Sequence, residues 1–179
     1  REFLPSKGKI YVSGEEITQL PKNKLHILRR QIGTVFQDFK LLFDRTIFEN
    51  VCLALELRGK KTEEIKDIVN KAIELVGLKG KDLAFPIQLS GGELQRLVLA
   101  RAIVTNPPIL FADEPTGNLD QETALKIIEL LQTINKSGTT VIMATHNSEI
   151  INKLSHRVIK LNKGEIVSDN KKEKTKKDA

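Results

Sequence analysis

The chain has 179 residues, 40% hydrophobic and 29% charged, the balance of one globular domain with its own core. Its net charge of +6 is uneven, because Asn170 to Ala179 hold five lysines against Glu173 and Asp178, or +3 of the total. The composition excludes a transmembrane helix, for no apolar run approaches the roughly 18 residues needed, and Cys52 as the only cysteine excludes an internal disulfide. No secretory pattern opens the sequence, and no basic stripe interleaved with aromatics supports nucleic-acid binding. A lone Cys in an apolar helical pattern suits a core position in a reducing cytosol. His26, His146 and His156 show no metal-ligand spacing. The sequence starts at Arg1 and its single methionine is Met143, so it reads as a fragment missing its natural N-terminus.

Taken in order, Lys9 to Val12 is a short strand after Gly8, closed by Gly14. Lys24 to Arg30 is a short basic helix, and Gln31 to Phe36 a strand ending at Gln37. Leu41 to Phe43 is an apolar patch in a loop. Thr46 caps a helix through Leu57, with Glu49 completing a capping box and Gly59 ending it. Thr62 caps a second helix through Val76, with Glu63 and Glu64 in its first turn and Gly77 after it. Pro86 breaks the chain before Leu89-Ser90-Gly91-Gly92-Glu93, which opens a helix running to about Val104. Ile109 to Ala112 reads as a strand buried on both faces, with Asp113 and Glu114 at its carboxyl end. Pro115 to Asp120 is a turn-rich loop. Gln121 to Asn135 is an amphipathic helix with Ala124, Ile127, Ile128, Leu131 and Ile134 on one face. Thr139 to Ala144 is a second buried strand, followed by Thr145 and His146. Ser148 caps a short helix through Leu154, and Arg157–Leu161 with Glu165–Ser168 form a hairpin around Asn162-Lys163-Gly164. Alternating strands and helices predict an α/β domain. The helical block from about Thr46 to Asn106 interrupts that alternation as a subdomain.

The chemistry concentrates in two stretches. Ser90, Gly91 and Gly92 set a hydroxyl and bare backbone at a helix start, whose free N–H groups and positive dipole end suit phosphate oxygens. By itself this is also simply a Ser-capped helix after a glycine turn. Asp113 and Glu114, at the carboxyl end of a strand, stand where open α/β sheets bind ligands. An Asp in this place holds Mg²⁺ in nucleotide-hydrolysing P-loop proteins, and the next carboxylate can act on an attacking water as general base.

In this order and spacing, Leu89–Glu93 resembles the signature motif of ATP-binding cassette (ABC) ATPases, and Ile109–Glu114 their Walker B strand with its catalytic glutamate. The resemblance reaches nearly all of residues 1–169. It implies that Gln37 is the Q-loop glutamine, touching Mg²⁺ or the attacking water and sensing a membrane partner. It implies that Asn118-Leu119-Asp120 is the loop crossing between two subunits, and that His146 is the switch histidine at the γ-phosphate. Singly, Gln37 is a polar strand end, Asp120 a helix cap and His146 a loop residue; the five motifs in order carry the reading. The implied fold is a P-loop NTPase-type ABC nucleotide-binding domain over 1–169, with a helical subdomain at about 46–106 inserted in the sheet core and a basic tail at 170–179.

Leu28-Arg29-Arg30-Gln31-Ile32-Gly33, Phe36-Gln37-Asp38, Asp44-Arg45-Thr46 and Pro86-Ile87-Gln88 are most similar to the FtsE family of cell-division ATP-binding proteins. That resemblance implies a homodimeric ATPase at the cytoplasmic face of the cell membrane, paired with a polytopic membrane protein, FtsX. Lipoprotein-releasing and macrolide-exporting ATPases share the run Ala112 to Asp120 and stand as the alternative. The implied ligands are ATP and Mg²⁺. Asp113 and Gln37 would serve the metal, Ser90, Gly91, Gly92, Glu93 and Asp120 the nucleotide, and Glu114, Gln37 and His146 the reaction.

Two features depart from the pattern. Leu94 stands where a polar residue is common, on a helix where it can face the core. No Gly-x-x-x-x-Gly-Lys-Ser/Thr occurs, since the Gly-Lys pairs at Gly8, Gly59 and Gly80 continue into Ile10, Lys61 and Asp82. The Walker A loop is therefore expected before Arg1, and the 179 residues alone are expected to be inactive. A DNA-repair ATPase would need a long coiled-coil insertion between Gln37 and Ser90, for which the segment is too short. A two-cassette translation ATPase would differ only upstream of Arg1. A non-catalytic module is opposed by the intact Asp113-Glu114 pair and His146.

Overall fold

The computed structural model describes residues 3–170. A small hairpin comes first, β1 (Tyr11–Val12) with β2 (Glu15–Glu16), turned by Ser13 and Gly14 at φ of 51° and 83°. Two successive left-handed residues give the turn that matches strand twist. The sequence marks the first strand, and its partner comes from that turn. A 3₁₀ turn at Lys22–Lys24 leads into α1 (Leu25–Arg30).

Next comes the parallel sheet, in the order β3 (Ile32–Val35), β4 (Ile109–Asp113), β5 (Thr140–Ala144). Ile32 pairs with Ile109 and Val35 with Ala112; Ile109 pairs with Thr140 and Asp113 with Ala144. Gly33, Val35, Leu110 and Ala112 are buried on one face. The opposite face carries the registered row Thr34, Phe111, Ile142, where Phe111 is 42% and Ile142 46% exposed. Burial of β4 and β5 on both faces, as the apolar runs suggest, is therefore not what the structure has. Among the described residues helices cover one face, and an apolar run does not reveal which faces are covered.

The covering helices are α4 (Gly91–Ile103), against β3, and α5 (Gln121–Lys136), against β5. The predicted stripe of α5, Ala124, Ile127, Ile128, Leu131 and Ile134, is buried throughout. The sheet and α4 approach so closely that a Cβ on Gly33 would lie 2.6 Å from the Ala102 carbonyl oxygen.

Between β3 and α4 stand α2 (Ile47–Glu56) and α3 (Thr62–Leu75), which pack on each other and on α4. The α2 start has the predicted capping box: Thr46 Oγ1 accepts from Glu49 N, and Glu49 Oε2 accepts from Thr46 N at 2.7 Å. Cys52 is buried in this helix, and burial pushes its thiol up to about 11. The α3 cap differs from expectation. Lys61 occupies the cap position without a side-chain bond, and Thr62 is already helical. The acidic pair Glu63 and Glu64 in the first turn suits the helix dipole without a cap.

These elements belong to a compact unit ending at Ala144; a second runs from Thr145. The second holds α6 (Ser148–Lys153) and the hairpin β6 (Val158–Asn162) with β7 (Glu165–Asn170), turned at Lys163-Gly164 as the sequence predicts. Arg157 and Asp169 form a two-bond ion pair in it, at 2.8 and 2.6 Å. The cap of α6 is Asn147 rather than Ser148, because the Asn147 amide oxygen accepts from both Glu149 N and Ile150 N. The basic tail read at 170–179 lies, after Asn170, outside the described residues.

Because the atom meeting a Gly33 Cβ is backbone, Gly33→Ala cannot be relieved by a rotamer change. It should cost about 1–3 kcal/mol by overpacking, read as a lower midpoint in chemical denaturation. An unchanged midpoint would contradict this packing.

Candidate active site

Parallel register brings the carboxyl ends of β3 and β4 to one edge. Phe36 and Gln37 leave there from β3, and Asp113 and Glu114 from β4. The Glu114 N–H donates to Ala144 O at 2.9 Å, carrying the β4–β5 ladder one residue beyond the strand. At that point the backbone turns, with Glu114 at φ 45°, a left-handed conformation uncommon for Glu. Gly117 N then donates to Glu114 O at 3.1 Å and Leu119 N to Thr116 O at 3.2 Å, so two successive turns lead to Asp120. Pro115 and Thr116 are buried in them, while Asp113 is exposed and Glu114 half-buried. Gln37 meets this turn: a Cβ on Gly117 would lie 3.6 Å from Glu114 Cβ and 3.7 Å from Gln37 Nε2.

A second cluster forms at the start of α4. Ser90 is its cap, Glu93 Oε2 accepts from Ser90 N and from Ser90 Oγ, both at 2.9 Å, and Lys81 pairs with Glu93 Oε1. The Lys81 ammonium, then the two Ser90 donors, pull the Glu93 carboxyl down to about 2. A Cβ on Gly92 would stand 2.5 Å from Thr123 Cγ2, so a larger residue there would displace the threonine side chain. A Cβ on Gly91 would stand 3.8 Å from Leu119 Cδ2. Asp120 caps α5 by accepting from Thr123 N at 3.0 Å, and that bonding lowers its carboxyl pKa.

The structure thus gathers the predicted residues into two groups. Gln37 stands with the turn that follows Asp113 and Glu114. Ser90, Gly91, Gly92 and Glu93 stand with Leu119, Asp120 and Thr123. The loop 115–119 joins the groups. His146 is exposed and lies in the second unit, two residues after β5 in the chain. Leu94 is half-buried. Among the described residues no cluster of three or more His, Cys, Asp or Glu could hold a metal.

Sequence reasoning missed Asn50, fully buried in α2. Its amide donates to Leu42 O (2.9 Å), Arg45 O (3.1 Å) and Thr46 O (2.9 Å), and its oxygen accepts from Leu42 N at 2.9 Å. One side chain therefore fixes the loop between Gln37 and α2. An Asn on the apolar face of a predicted helix was the available signal, since a buried amide needs partners.

The pattern of the ABC transporter family matches residues 1–117. The cell division ATP-binding protein FtsE of Streptococcus pneumoniae (strain D39) is 49% identical over 172 residues, 96% of this chain and 75% of that protein. The chain belongs to the ABC transporter family, in its FtsE branch. FtsE of Bacillus subtilis is 49% identical over 94% of this chain and 74% of its own length. FtsE of Escherichia coli K12 is 47% identical over 90% and 73%. The ATP-binding cassette MJ0796, solved as a dimer in a post-hydrolysis state bound to ADP and Pi, superposes with a TM-score of 0.82 at 35% identity, over 94% of this chain and 75% of that one. The α/β cassette fold expected from the sequence is thereby shown.

Ionised Glu93 has a folded pKa of about 2 against an ordinary 4.5. Its contribution to stability is complete above pH 4.5 and fades as pH falls toward 2. Glu93→Gln keeps a capping amide but loses the charge. It should melt about 2 °C lower at pH 7, the scale of a partly exposed ion pair. The difference should close on acidification; a gap that stays constant to pH 2 would contradict the ionic cause.

Proposed function

We propose that this chain is the ATP-hydrolysing subunit of a membrane-associated, FtsE-type cell-division complex. It works as a homodimer on a polytopic, FtsX-like membrane protein. The observation that carries this is the turn after β4. Asp113 ends the central strand, Glu114 is held in a left-handed conformation directly after it, and Gln37 lies against the same turn. Backbone strain of this kind persists where surrounding structure over-determines it, typically at functional sites. The ladder bond to Ala144 and the turn bond from Gly117 do that here.

In this reading Glu114 takes a proton from the attacking water, Gln37 orients that water, and His146 contacts the γ-phosphate. Asp113 and Gln37 would hold Mg²⁺. A single carboxylate and an amide fit that ion, which keeps waters and phosphate oxygens as its other ligands. Bound Mg²⁺ would supply charge neutralisation at the phosphates. Ser90, Gly91 and Gly92, at the free N–H groups of α4, would face the nucleotide of the other subunit, with Glu93 fixing Ser90 and Asp120 fixing the crossing loop. The dimeric state of the MJ0796 cassette supports this arrangement.

The phosphate cradle of this reading is not supplied by a Gly-x-x-x-x-Gly-Lys-Ser/Thr pattern within these 179 residues.

The partner surface is assigned to the Gln37–Thr46 loop and the helices after it. Leu42 (41%) and Phe43 (51%) are exposed there while Leu41 is buried. Leu83 and Ile87 are exposed at 78% and 79% in the segment whose Asp82 and Ala84 carbonyls accept from Phe48 N and Ile47 N. Exposed apolar side chains of this size, where they cluster, mark an interaction surface. Among the described residues no helix is long and apolar enough to cross a membrane.

Two measurements test the proposal. In the gene-encoded chain Glu114→Gln should retain ATP binding but lower turnover by about 10²-fold, the scale of general-base catalysis; near-normal phosphate release would remove Glu114 from the role. Leu42→Ser with Phe43→Ser should abolish copurification with the FtsX-like protein while leaving basal ATPase intact. Retained copurification would move the contact elsewhere.

A further inference from the structure

Arg101 lies near the end of α4, half-buried, and burial lowers its pKa. Its guanidinium reaches across 61 and 62 residues of sequence, with Nη1 donating to Lys40 O and Nη2 donating to Phe39 O at 2.8 Å. Both acceptors are backbone carbonyls, and both residues are left-handed, at φ 58° and 50°. Two successive non-glycine residues in that region are strained, because Cβ crowds the following carbonyl oxygen. Local bonds are few: Phe39 N donates to Phe36 O at 3.3 Å, Lys40 N to Asp38 O at 2.6 Å, and Lys40 pairs with Asp38 on the surface. A surface pair of this type holds little. A planar fork desolvated against two adjacent carbonyls is the stronger restraint.

This turn begins two residues after Gln37. We infer that Arg101 is a positioning residue for Gln37: it clamps the left-handed Phe39–Lys40 turn from α4 and thereby holds the glutamine against the Glu114–Gly117 turn. The same helix begins at Ser90, so the clamp also ties the signature cluster to the glutamine loop through one rigid element. The inference rests on the reading of Gln37 as a water- or metal-orienting group.

The test is a double-mutant cycle on ATP turnover in the gene-encoded chain: Gln37→Ala, Arg101→Ala and both together, with Arg101→Lys alongside. If Arg101 acts through Gln37, Arg101→Ala lowers kcat by about tenfold with KM for ATP within about twofold, and the double variant is no slower than Gln37→Ala alone. Arg101→Lys, with one compact ammonium for two carbonyls, should fall between wild type and Arg101→Ala, and it gives the same cycle if the alanine variant does not fold. A double variant whose loss is the product of the single losses, or an Arg101 variant with unchanged kcat, overturns the clamp while leaving Gln37 in its role. An unchanged kcat in Gln37→Ala overturns the reading of Gln37 itself, and the clamp with it.

Discussion

The register of β3, β4 and β5 decides where the residues assigned to the proposed chemistry sit. Parallel strands deliver their carboxyl ends to one edge. Here that edge receives Gln37 from β3 and the Asp113-Glu114 pair from β4. A slip of one residue in the β4–β5 pairing would reverse which face Leu110 and Phe111 occupy. It would also remove the ladder bond from Glu114 N to Ala144 O that begins the left-handed turn. The sharp close of β4 is what separates the two adjacent carboxylates, leaving Asp113 exposed at the strand end and Glu114 half-buried in the turn.

Segments both before and after the strands are held by single polar side chains reaching in from helices. Asn50 makes four hydrogen bonds from α2 to the loop at Leu42, Arg45 and Thr46. Arg58 bridges the end of α2 to Thr105 O and Arg30 O, and Arg30 returns a bond to Leu57 O. Carbonyls that a short loop leaves unpaired must find donors when buried, and amide and guanidinium groups on neighbouring helices supply them. The helical block and the sheet are therefore joined by directional bonds as well as by apolar packing.

What the sequence made legible was local. Thr46 with Glu49 is a capping box whose partners lie three residues apart, Ser90 reads as a helix cap, and the α5 stripe repeats at the helical period. The order of the five motifs that are present carried the family. What was not legible depended on distance in sequence or on what covers a surface. The contact of Gln37 with the Gly117 turn spans the whole helical block. The exposed row of Phe111 and Ile142 differs from a buried strand only in whether a layer lies over it, which composition does not encode. At Asn147-Ser148 two good capping residues stand side by side, and Asn147 prevails because its oxygen reaches two N–H groups of α6.

In the proposed dimer the two clusters on this chain serve two different nucleotide sites: Gln37, Asp113 and Glu114 act in their own site, and Ser90–Gly92 act in the partner's. Mixing two inactive gene-encoded chains, Ser90→Arg and Glu114→Gln, tests it most directly through phosphate release. Each heterodimer would then hold one site with both residues intact, so the mixture should recover about a quarter of wild-type activity at random pairing. A mixture no more active than its two components would show that Ser90 and Glu114 belong to the same site, and would rule out the shared-site dimer.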